Sequence, residues 1–220
     1  MPRAVLFDLD GTFADTAPDL GRTINLMRAA RGLAPVALTE TRRVTSLGAR
    51  GLLGVGFGIG PEHADYAAMR EEFLRLYEMN LCQDTVLFPG IAALVDALEA
   101  RRILWGIVTN KAERYARPLL QQLGYGTRAA CIIGGDTTGH LKPHPEPLLA
   151  ATRAIGIAAQ DCIYVGDDQR DIEAGRAAGM RTIAVRFGYL NGSNPETWGA
   201  DSLVSNPAEI EKFVLKQYVI

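Results

Sequence analysis

The sequence predicts an α/β protein in which a doubly wound parallel sheet carries an inserted helical domain. Three observations predict this class: short apolar runs that end at polar or glycine-rich turns, longer amphipathic stretches between them, and one interruption of that alternation near the N-terminus. Short buried strands that alternate with helices are typical of βα units in a parallel sheet. The runs that fit buried strands are residues 4–7, 104–108, 131–133, 162–165 and 182–185.

Apolar residues recur at three- to four-residue spacing between these runs, which predicts amphipathic helices. The predicted helices of the sheet domain are residues 91–101, 112–124, 146–156 and 171–179. Glycine ends three of the four, as it does at many helix C-termini. No second strand is expected until about residue 103. We therefore expect residues 1–14 and 84–220 to form the sheet domain and residues 15–83 to form a helical insert.

The insert has three predicted helices, at residues 18–31, 38–46 and 61–81, and the last of these is long and amphipathic. The glycine-rich run at residues 48–60 is expected to form a loop between helices. Residues 88–90, Phe-Pro-Gly, predict a turn where the chain re-enters the sheet domain.

The composition argues against several classes of partner. A formal net charge of −2 provides no broad basic surface for nucleic acid or an anionic membrane, so we expect a small-molecule partner. Cys82, Cys131 and Cys162 are odd in number and widely spaced, which favours buried reduced thiols over disulfides or a zinc site. Neither a signal-peptide pattern nor an apolar run long enough to span a bilayer is found, so a cytoplasmic location is expected.

The first chemical motif is Asp-Leu-Asp-Gly-Thr at residues 8–12, directly after the first strand. Residues two apart on a strand share a face, and ligands bind open α/β sheets outside the carboxyl ends of the strands. Asp8 and Asp10 would therefore face one ligand, where one carboxylate can attack phosphorus and the other can transfer a proton. A simple turn is the alternative. A calcium loop is disfavoured because its further ligands are missing.

Two further motifs supply groups that suit a phosphate. Thr109 and Asn110 follow the second predicted sheet-domain strand, where a hydroxyl can hold a phosphoryl oxygen, although a helix N-cap is the commoner role of such a threonine. Residues 141–147 are Leu-Lys-Pro-His-Pro-Glu-Pro, and their prolines stiffen the chain around Lys142. A solvated surface lysine is the alternative. His140 and His144 are interpreted as structural or surface residues, because their spacing spans a proline.

The fourth motif is acidic. Asp167, Asp168 and Asp171 lie within five residues of one another after the strand at residues 162–165. Carboxylates this close repel one another, and a cation would relieve the repulsion. Oxygen ligands together with a phosphate substrate favour magnesium. A capping role at a helix start is the alternative for Asp171.

In this order the four motifs resemble those of the haloacid dehalogenase (HAD) superfamily, and the resemblance covers essentially the whole chain. It implies a Rossmann-like HAD sheet, and the helical insert after the first motif resembles a C1-type cap domain. Residues 15–20, Asp-Thr-Ala-Pro-Asp-Leu, look like phosphoglycolate phosphatases. Residues 104–111 and 198–201 are similar to the N-acetylmuramic acid 6-phosphate phosphatases. The motifs do not separate these two branches.

The resemblance implies a magnesium-dependent phosphomonoesterase that acts on a small phosphorylated metabolite through an aspartyl-phosphate. Asp8 would be the nucleophile and a metal ligand. Asp10 would be the general acid/base, with its backbone carbonyl on the metal. Asp167 would be a direct metal ligand.

The remaining site residues are implied in the same way. Thr109, Asn110 and Lys142 would hold the phosphoryl group, and Asp168 and Asp171 would support the metal site or Lys142. In the cap, Arg50 is a candidate partner for a second anionic group, with a solvated side chain as the alternative. A phosphomutase with the same first step, or a non-catalytic metabolite-binding protein, is the competing function, and a monomer or a homodimer is expected.

Overall fold

A six-stranded parallel sheet forms the centre of the computed structural model, which describes residues 1–216. Its strands are β1 (Ala4–Phe7), β4 (Leu104–Val108), β5 (Ile132–Ile133), β6 (Cys162–Gly166), β7 (Arg181–Val185) and β8 (Ser202–Val204). The spatial order is β5-β4-β1-β6-β7-β8, so successive strands are added first on one side of β1 and then on the other. Such a reversal opens a ligand crevice beside the strand where it occurs.

Helices cover both faces of this sheet. They are α5 (Ile91–Ala100), α6 (Glu113–Gln122), α7 (Glu146–Ile155), α8 (Gln169–Ala177) and α9 (Pro207–Lys216). Val5 and Phe7 of β1 pack in one hydrophobic cluster with residues of α5, α6 and α9, whereas Ala4 and Leu6 pack in another with residues of α7 and α8. The alternation of side chains along β1 therefore supplies both layers of the core. This confirms the predicted doubly wound α/β class.

The predicted sheet strands are correct to within one residue at each end, and the predicted helices of the sheet domain are correct to within two. Strand β8 and helix α9 were not predicted. A short antiparallel pair of β2 (Ala14–Asp15) and β3 (Val86–Leu87) was also missed. It joins the two chain connections between the sheet and the helical insert, and the expected domain boundaries at residues 14/15 and 83/84 lie next to it.

The insert contains α1 (Ala17–Ala29), α2 (Leu38–Arg43), α3 (Gly48–Phe57) and α4 (Tyr66–Met79). The expected loop at residues 48–60 is wrong, because most of it forms α3. Leu52 and Leu53 of α3 are fully buried. Gly56 lets α3 approach α1 closely, since a Cβ there would lie 2.8 Å from Ile24 Cγ2. Burial of the leucines and this close packing offset the low helix propensity of glycine, about 1 kcal/mol per residue.

Two other expectations in the insert need adjustment. Helix α2 ends at Arg43, and a 3₁₀ turn at Thr45–Leu47 follows it instead of a continuous helix to residue 46. Helix α4 begins at Tyr66, five residues later than expected. Among the described residues, no helix is both long and apolar enough to cross a membrane. The three cysteines are free, and Cys82 is only half-buried, whereas Cys131 and Cys162 are buried as expected.

Aromatic residues pack together in the core next to the β2–β3 pair. Phe13 is fully buried, and its ring stacks on Trp105 at a centroid distance of 5.3 Å. The same ring meets Tyr125 edge-on at 5.6 Å and Phe7 at 5.8 Å. Aromatic pairs of this kind contribute about 0.5–1.5 kcal/mol each beyond the area they bury.

We therefore expect Phe13→Ala to lower the free energy of unfolding by about 3–5 kcal/mol, because a large cavity would open among packed rings. Urea denaturation measures the change. Leu26→Ala on the outer face of α1 is the matched control, and its effect should stay within about 0.5 kcal/mol. Equal losses in the two variants would contradict the packing role of Phe13.

Candidate active site

The carboxyl ends of the central strands meet the helical insert at a cavity of about 420 Å³. Asp8 follows β1, Thr109 follows β4 and Asp167 follows β6, and all three line this cavity. Lys142, from the loop before α7, lies among them. The four predicted motifs are thus brought together at one edge of the sheet, with residues of α3 and α4 on the opposite wall.

Lys142 is the cation at the centre of this edge. Its Nζ lies 2.9 Å from Asp8 Oδ1 and 2.7 Å from Asp171 Oδ1. It also donates to the Tyr164 hydroxyl at 2.8 Å and to the Val108 carbonyl at 3.2 Å. Burial opposes the charge of Lys142, but the carboxylates of Asp171 and Asp8 outweigh this effect and raise its pKa. The surface-lysine alternative is therefore wrong, because Lys142 is a buried, fully partnered cation.

The carboxylates of Asp8 and Asp167 lie in an environment that disfavours their ionised form. Burial raises the pKa of Asp8 to about 6, although the nearby Lys142 acts in the opposite direction. Burial, followed by repulsion from Asp8 and Asp171, also raises the pKa of Asp167. Desolvation and like charges both favour the protonated form of a carboxyl group. The cluster therefore carries more negative charge than Lys142 alone can compensate.

Asp167 is held in place by hydrogen-bond donors. Its Oδ1 accepts from the Thr12 hydroxyl at 2.8 Å, and its Oδ2 accepts from the Tyr189 backbone N–H at 2.7 Å. Gly11 makes this approach possible: its φ is +86°, and a Cβ there would lie 2.1 Å from Asp167 Oδ2. The glycine of the first motif is required by this geometry. The contacts of Tyr189 carry no signal in the sequence motifs.

A divalent cation fits the acidic cluster. Asp8, Asp167 and Asp171 are buried, and each offers an oxygen within 4.8 Å of the others. Asp171 is engaged by Lys142 and by the Asp168 backbone N–H, at 3.0 Å, whereas the hydrogen-bond donors to Asp167, Thr12 and Tyr189, are neutral. Within residues 1–216, no cationic side chain lies within salt-bridge distance of Asp167. Buried carboxylate oxygens of this kind match the ligand preference of magnesium.

Asp10 faces the same cavity with different partners. Its Oδ1 accepts from the Thr16 hydroxyl at 2.5 Å and lies 3.0 Å from Lys111 Nζ. Lys111 also lies over the ring of Tyr77 on α4, with Nζ 4.9 Å from the ring centroid. Lys111 was not predicted as a site residue. Its place in the second motif, next to Asn110, was the available signal.

The two polar residues of the second motif have distinct environments. The Asn110 side chain donates to the Lys142 carbonyl at 3.0 Å and accepts from the Lys142 backbone N–H at 2.9 Å. Its amide therefore holds the loop that carries Lys142. The Thr109 hydroxyl accepts from the Lys111 backbone N–H at 3.2 Å, and Ala112 occupies the N-cap position of α6. The N-cap alternative for Thr109 is therefore wrong.

Asp168 and Asp171 begin helix α8 as a reciprocal capping box, so the capping alternative for Asp171 is correct alongside its contact with Lys142. Both oxygens of Asp168 also accept from the Arg170 guanidinium at 2.8 Å, and Arg170 donates to the Ser46 carbonyl of the insert at 2.9 Å. The acidic motif thus connects the sheet to the insert.

The other predicted residues lie farther out. Arg50 is an exposed residue of α3 that lines the cavity. His140 and His144 are exposed, with their rings stacked 3.9 Å apart, and neither lines the cavity. Their interpretation as surface residues is correct.

This doubly wound sheet with a carboxylate-lined crevice at its reversal point defines an α/β protein whose ligand site lies at that edge of the sheet. The family model described as haloacid dehalogenase-like hydrolase matches residues 5–185, and the chain belongs to this family. Over 213 residues it is 48% identical to a phosphoglycolate phosphatase of Xanthomonas campestris, covering 95% of each chain. Over 213 residues it is 45% identical to an N-acetylmuramic acid 6-phosphate phosphatase of Pseudomonas putida, covering 96% of each.

A solved structure agrees with these relatives. The crystal structure of a predicted phosphoglycolate phosphatase from Haemophilus somnus superimposes with a TM-score of 0.85 at 25% identity, over 96% of this chain and 97% of the other. The chain is therefore a phosphatase with the HAD fold, which confirms the resemblance given by its motifs.

Charge on Asp8 should destabilise the metal-free protein. Because the pKa of Asp8 rises from 3.8 to about 6 on folding, the folded state binds this proton more tightly than the unfolded chain does. The contribution of Asp8 to stability therefore becomes less favourable as pH rises through this interval. We expect Asp8→Asn to match the wild type near pH 4 and to exceed its free energy of unfolding by up to about 3 kcal/mol near pH 8.

Urea denaturation in the presence of a chelator measures this difference across the pH range. Asp65→Asn, at an exposed position of the insert, is the matched control and should show no such trend. A stability difference that does not grow with pH would contradict the environment described for Asp8.

Proposed function

We propose that the chain hydrolyses a small phosphorylated metabolite as a magnesium-dependent phosphomonoesterase, through an aspartyl-phosphate on Asp8. The observation that carries this proposal is the position of Asp8: it is buried at the end of β1, 2.9 Å from Lys142 and within 4.8 Å of two further carboxylates. Such a carboxylate can act as a nucleophile, and the adjacent Lys142 supplies part of the positive charge that phosphoryl transfer requires.

In the first half-reaction, a carboxylate oxygen of Asp8 attacks phosphorus and the ester P–O bond breaks. Lys142 and Thr109 hold the phosphoryl oxygens, and Asn110 keeps Lys142 in position through its backbone. Asp10 donates its proton to the leaving alkoxide. The products are the free alcohol and the acyl-phosphate on Asp8.

In the second half-reaction, Asp10 has lost its proton and removes one from a water molecule. That water attacks the phosphorus of the acyl-phosphate, and the bond to Asp8 breaks. Inorganic phosphate leaves and the Asp8 carboxylate is restored. Thr16 and Lys111 fix the orientation of the Asp10 carboxyl group through both steps.

The carboxylates of Asp8 and Asp167, with the backbone carbonyl of Asp10, are the proposed ligands of magnesium, which when bound supplies positive charge to the phosphoryl oxygens. Asp168 and Asp171 act in support, because Asp171 holds Lys142 and Asp168 begins α8.

Residues 15–83 are proposed to act as a cap on the sheet domain of residues 1–14 and 84–220. The cap residues Ser46, Arg50 and Tyr77 line the cavity above the acidic cluster. A cap that excludes bulk water strengthens the electrostatic interactions beneath it and provides contacts for specificity.

The names of the relatives support two substrates. A phosphoglycolate phosphatase-like activity is the first candidate, and hydrolysis of N-acetylmuramic acid 6-phosphate is the second. Both compounds join a phosphomonoester to a carboxylate. The competing phosphomutase shares the first half-reaction but returns the phosphate to its substrate.

A phosphate-release screen with magnesium tests the chemistry. We expect free phosphate from at least one ester among phosphoglycolate, amino-sugar phosphates, hexose phosphates and nucleotides. Asp8→Asn should abolish the release because no acyl-phosphate can form, and Asp10→Asn should lower kcat by about 10²–10⁴-fold. Phosphate that moves to another position of the sugar without release would favour the mutase, and no magnesium-dependent turnover would favour a binding protein.

Magnesium should also stabilise the fold in the absence of substrate. At about one hundred times its dissociation constant, a ligand that binds only the folded state contributes about 2.7 kcal/mol. We expect magnesium to raise the Tm of the wild type in a thermal-shift experiment and to leave Asp167→Asn nearly unchanged. Asp65→Asn, far from the cluster, should respond like the wild type. Equal shifts for all three proteins would place the metal elsewhere.

Arg50 is proposed as a partner for the second anionic group. Loss of a charge-assisted hydrogen bond costs about 1.5–3 kcal/mol, so Arg50→Ala should raise KM for phosphoglycolate about tenfold or more. Ethyl phosphate, which lacks the carboxylate, should show no such change. Arg43→Ala, at an exposed position outside the cavity, is the control. An unchanged KM for phosphoglycolate would reject this role.

A further inference from the structure

Only some of the cationic side chains that line the cavity form ion pairs with its carboxylates. Its acidic lining residues, Asp8, Asp10, Asp167, Asp168 and Asp171, lie at its sheet side. Lys142, Lys111 and Arg170 each contact at least one of these carboxylates. Three further cations, Arg50, Arg70 and Arg114, also line the cavity. Within residues 1–216, none of these three has a carboxylate within salt-bridge distance.

Two of the three arginines come from different parts of the chain: Arg70 belongs to α4 of the insert and Arg114 to α6 of the sheet domain, and both line the cavity. Arg70, Phe73 and Tyr77 are at positions i, i+3 and i+7 of α4, so they share the helix face that lines the cavity. Arg114 is in the first turn of α6, next to Tyr115, whose ring contacts that of Tyr77 at 5.8 Å. All three arginines are exposed, and Arg50 also lines a second, shallow depression with residues 54–62, which places it at the cavity rim.

The spacing along α4 sets a length scale. Lys111 Nζ lies 4.9 Å from the centroid of the Tyr77 ring and 3.0 Å from Asp10 Oδ1. Tyr77 therefore lies at the end of the cavity where the proposed reaction takes place. Arg70 lies seven residues earlier, which is about 10 Å along the helix at 1.5 Å per residue. Helical side chains lean in one direction, toward the helix N-terminus, so the Cβ atoms of Arg70 and Tyr77 keep roughly this separation.

This distance separates the candidate substrates. In phosphoglycolate three bonds join the phosphorus to the carboxyl carbon, a span of about 4 Å at ordinary bond lengths. A carboxylate on the far side of a six-membered sugar ring from its phosphate lies about twice as far away. The rings of Tyr66, Phe73, Tyr77 and Tyr115 also line the cavity and provide an apolar wall for the face of such a ring.

We infer that Arg70 and Arg114 form a subsite for a substrate carboxylate remote from the phosphoryl group, and that the substrate is a hexose-sized phosphomonoester acid. The inference rests on the phosphatase function proposed for this site and adds the class of substrate. Unpaired guanidinium groups bind carboxylates well because their donors match the two oxygens.

Two esters that differ only in the acidic group test the subsite: N-acetylmuramic acid 6-phosphate carries a lactyl ether, and N-acetylglucosamine 6-phosphate does not. Phosphoglycolate is the short acid. With the intact, magnesium-loaded protein, we expect the wild type to favour the lactyl ester over its partner by about tenfold or more in kcat/KM.

Arg70→Ala and Arg114→Ala should each lower kcat/KM for the lactyl ester about tenfold, mainly through KM, and leave the other two esters within about twofold. Arg70→Lys should restore part of the effect. Arg75→Ala, at an exposed position of α4 outside the cavity lining, is the matched control and should have no effect.

If the arginine variants lost kcat/KM equally on both amino-sugar esters, the arginines would have only a structural role and the inference would be overturned. A larger loss on phosphoglycolate would also overturn it, because the anion would then lie close to the phosphoryl group. The proposed function fails in a different way: the wild type would release no phosphate from any of the three esters.

Discussion

Repulsion among buried carboxylates is the constraint on which the site depends. Asp8, Asp167 and Asp171 bring oxygens within 4.8 Å of one another at a place shielded from water, where each negative charge is expensive. Lys142 contacts two of these residues, and hydrogen-bond donors hold the third. Burial, together with repulsion from Asp171 and Asp10, raises the pKa of Asp8 to about 6 even though Lys142 acts in the opposite direction. Part of the negative charge of this cluster is therefore left for a further cation to balance, and this arrangement lowers the stability of the metal-free protein.

The groups that stabilise this charge also connect the two parts of the chain. Tyr189 donates its backbone N–H to Asp167, while its carbonyl accepts from the Ser46 hydroxyl at 2.8 Å and its own hydroxyl donates to Asp15 at 2.6 Å. One residue of the loop after β7 therefore touches the acidic cluster, the β2–β3 connection and the insert. Displacement of the insert would disturb the support of Asp167, so the position of the insert and the geometry of the acidic cluster depend on each other.

Local sequence predicted most of the sheet, because buried strands and their turns are encoded over a few residues. It also placed Asp8, Thr109 and Asp167 correctly at the carboxyl ends of strands. It did not predict helix α3, because glycines disfavour a helix locally, although one of them, Gly56, is what allows α3 to pack closely on α1. Nor could local sequence show the hydrogen bond from Tyr189 to Asp167 or the one from Asn110 to the Lys142 loop, because these contacts join residues far apart in the chain.

The motifs leave the substrate open for a physical reason. They fix the phosphoryl-transfer end of the cavity, where nucleophile, acid and cation must meet any phosphomonoester in the same way. Relatives with two different substrates in their names match this chain at 48% and 45% identity, so overall similarity does not choose between them. The choice depends on the far wall, where the distance between Arg70 and the Tyr77 level is set by two turns of α4. Because a helix cannot shorten to fit a smaller acid, the inferred carboxylate subsite at Arg70 would suit a substrate whose two anionic groups are separated by a sugar ring.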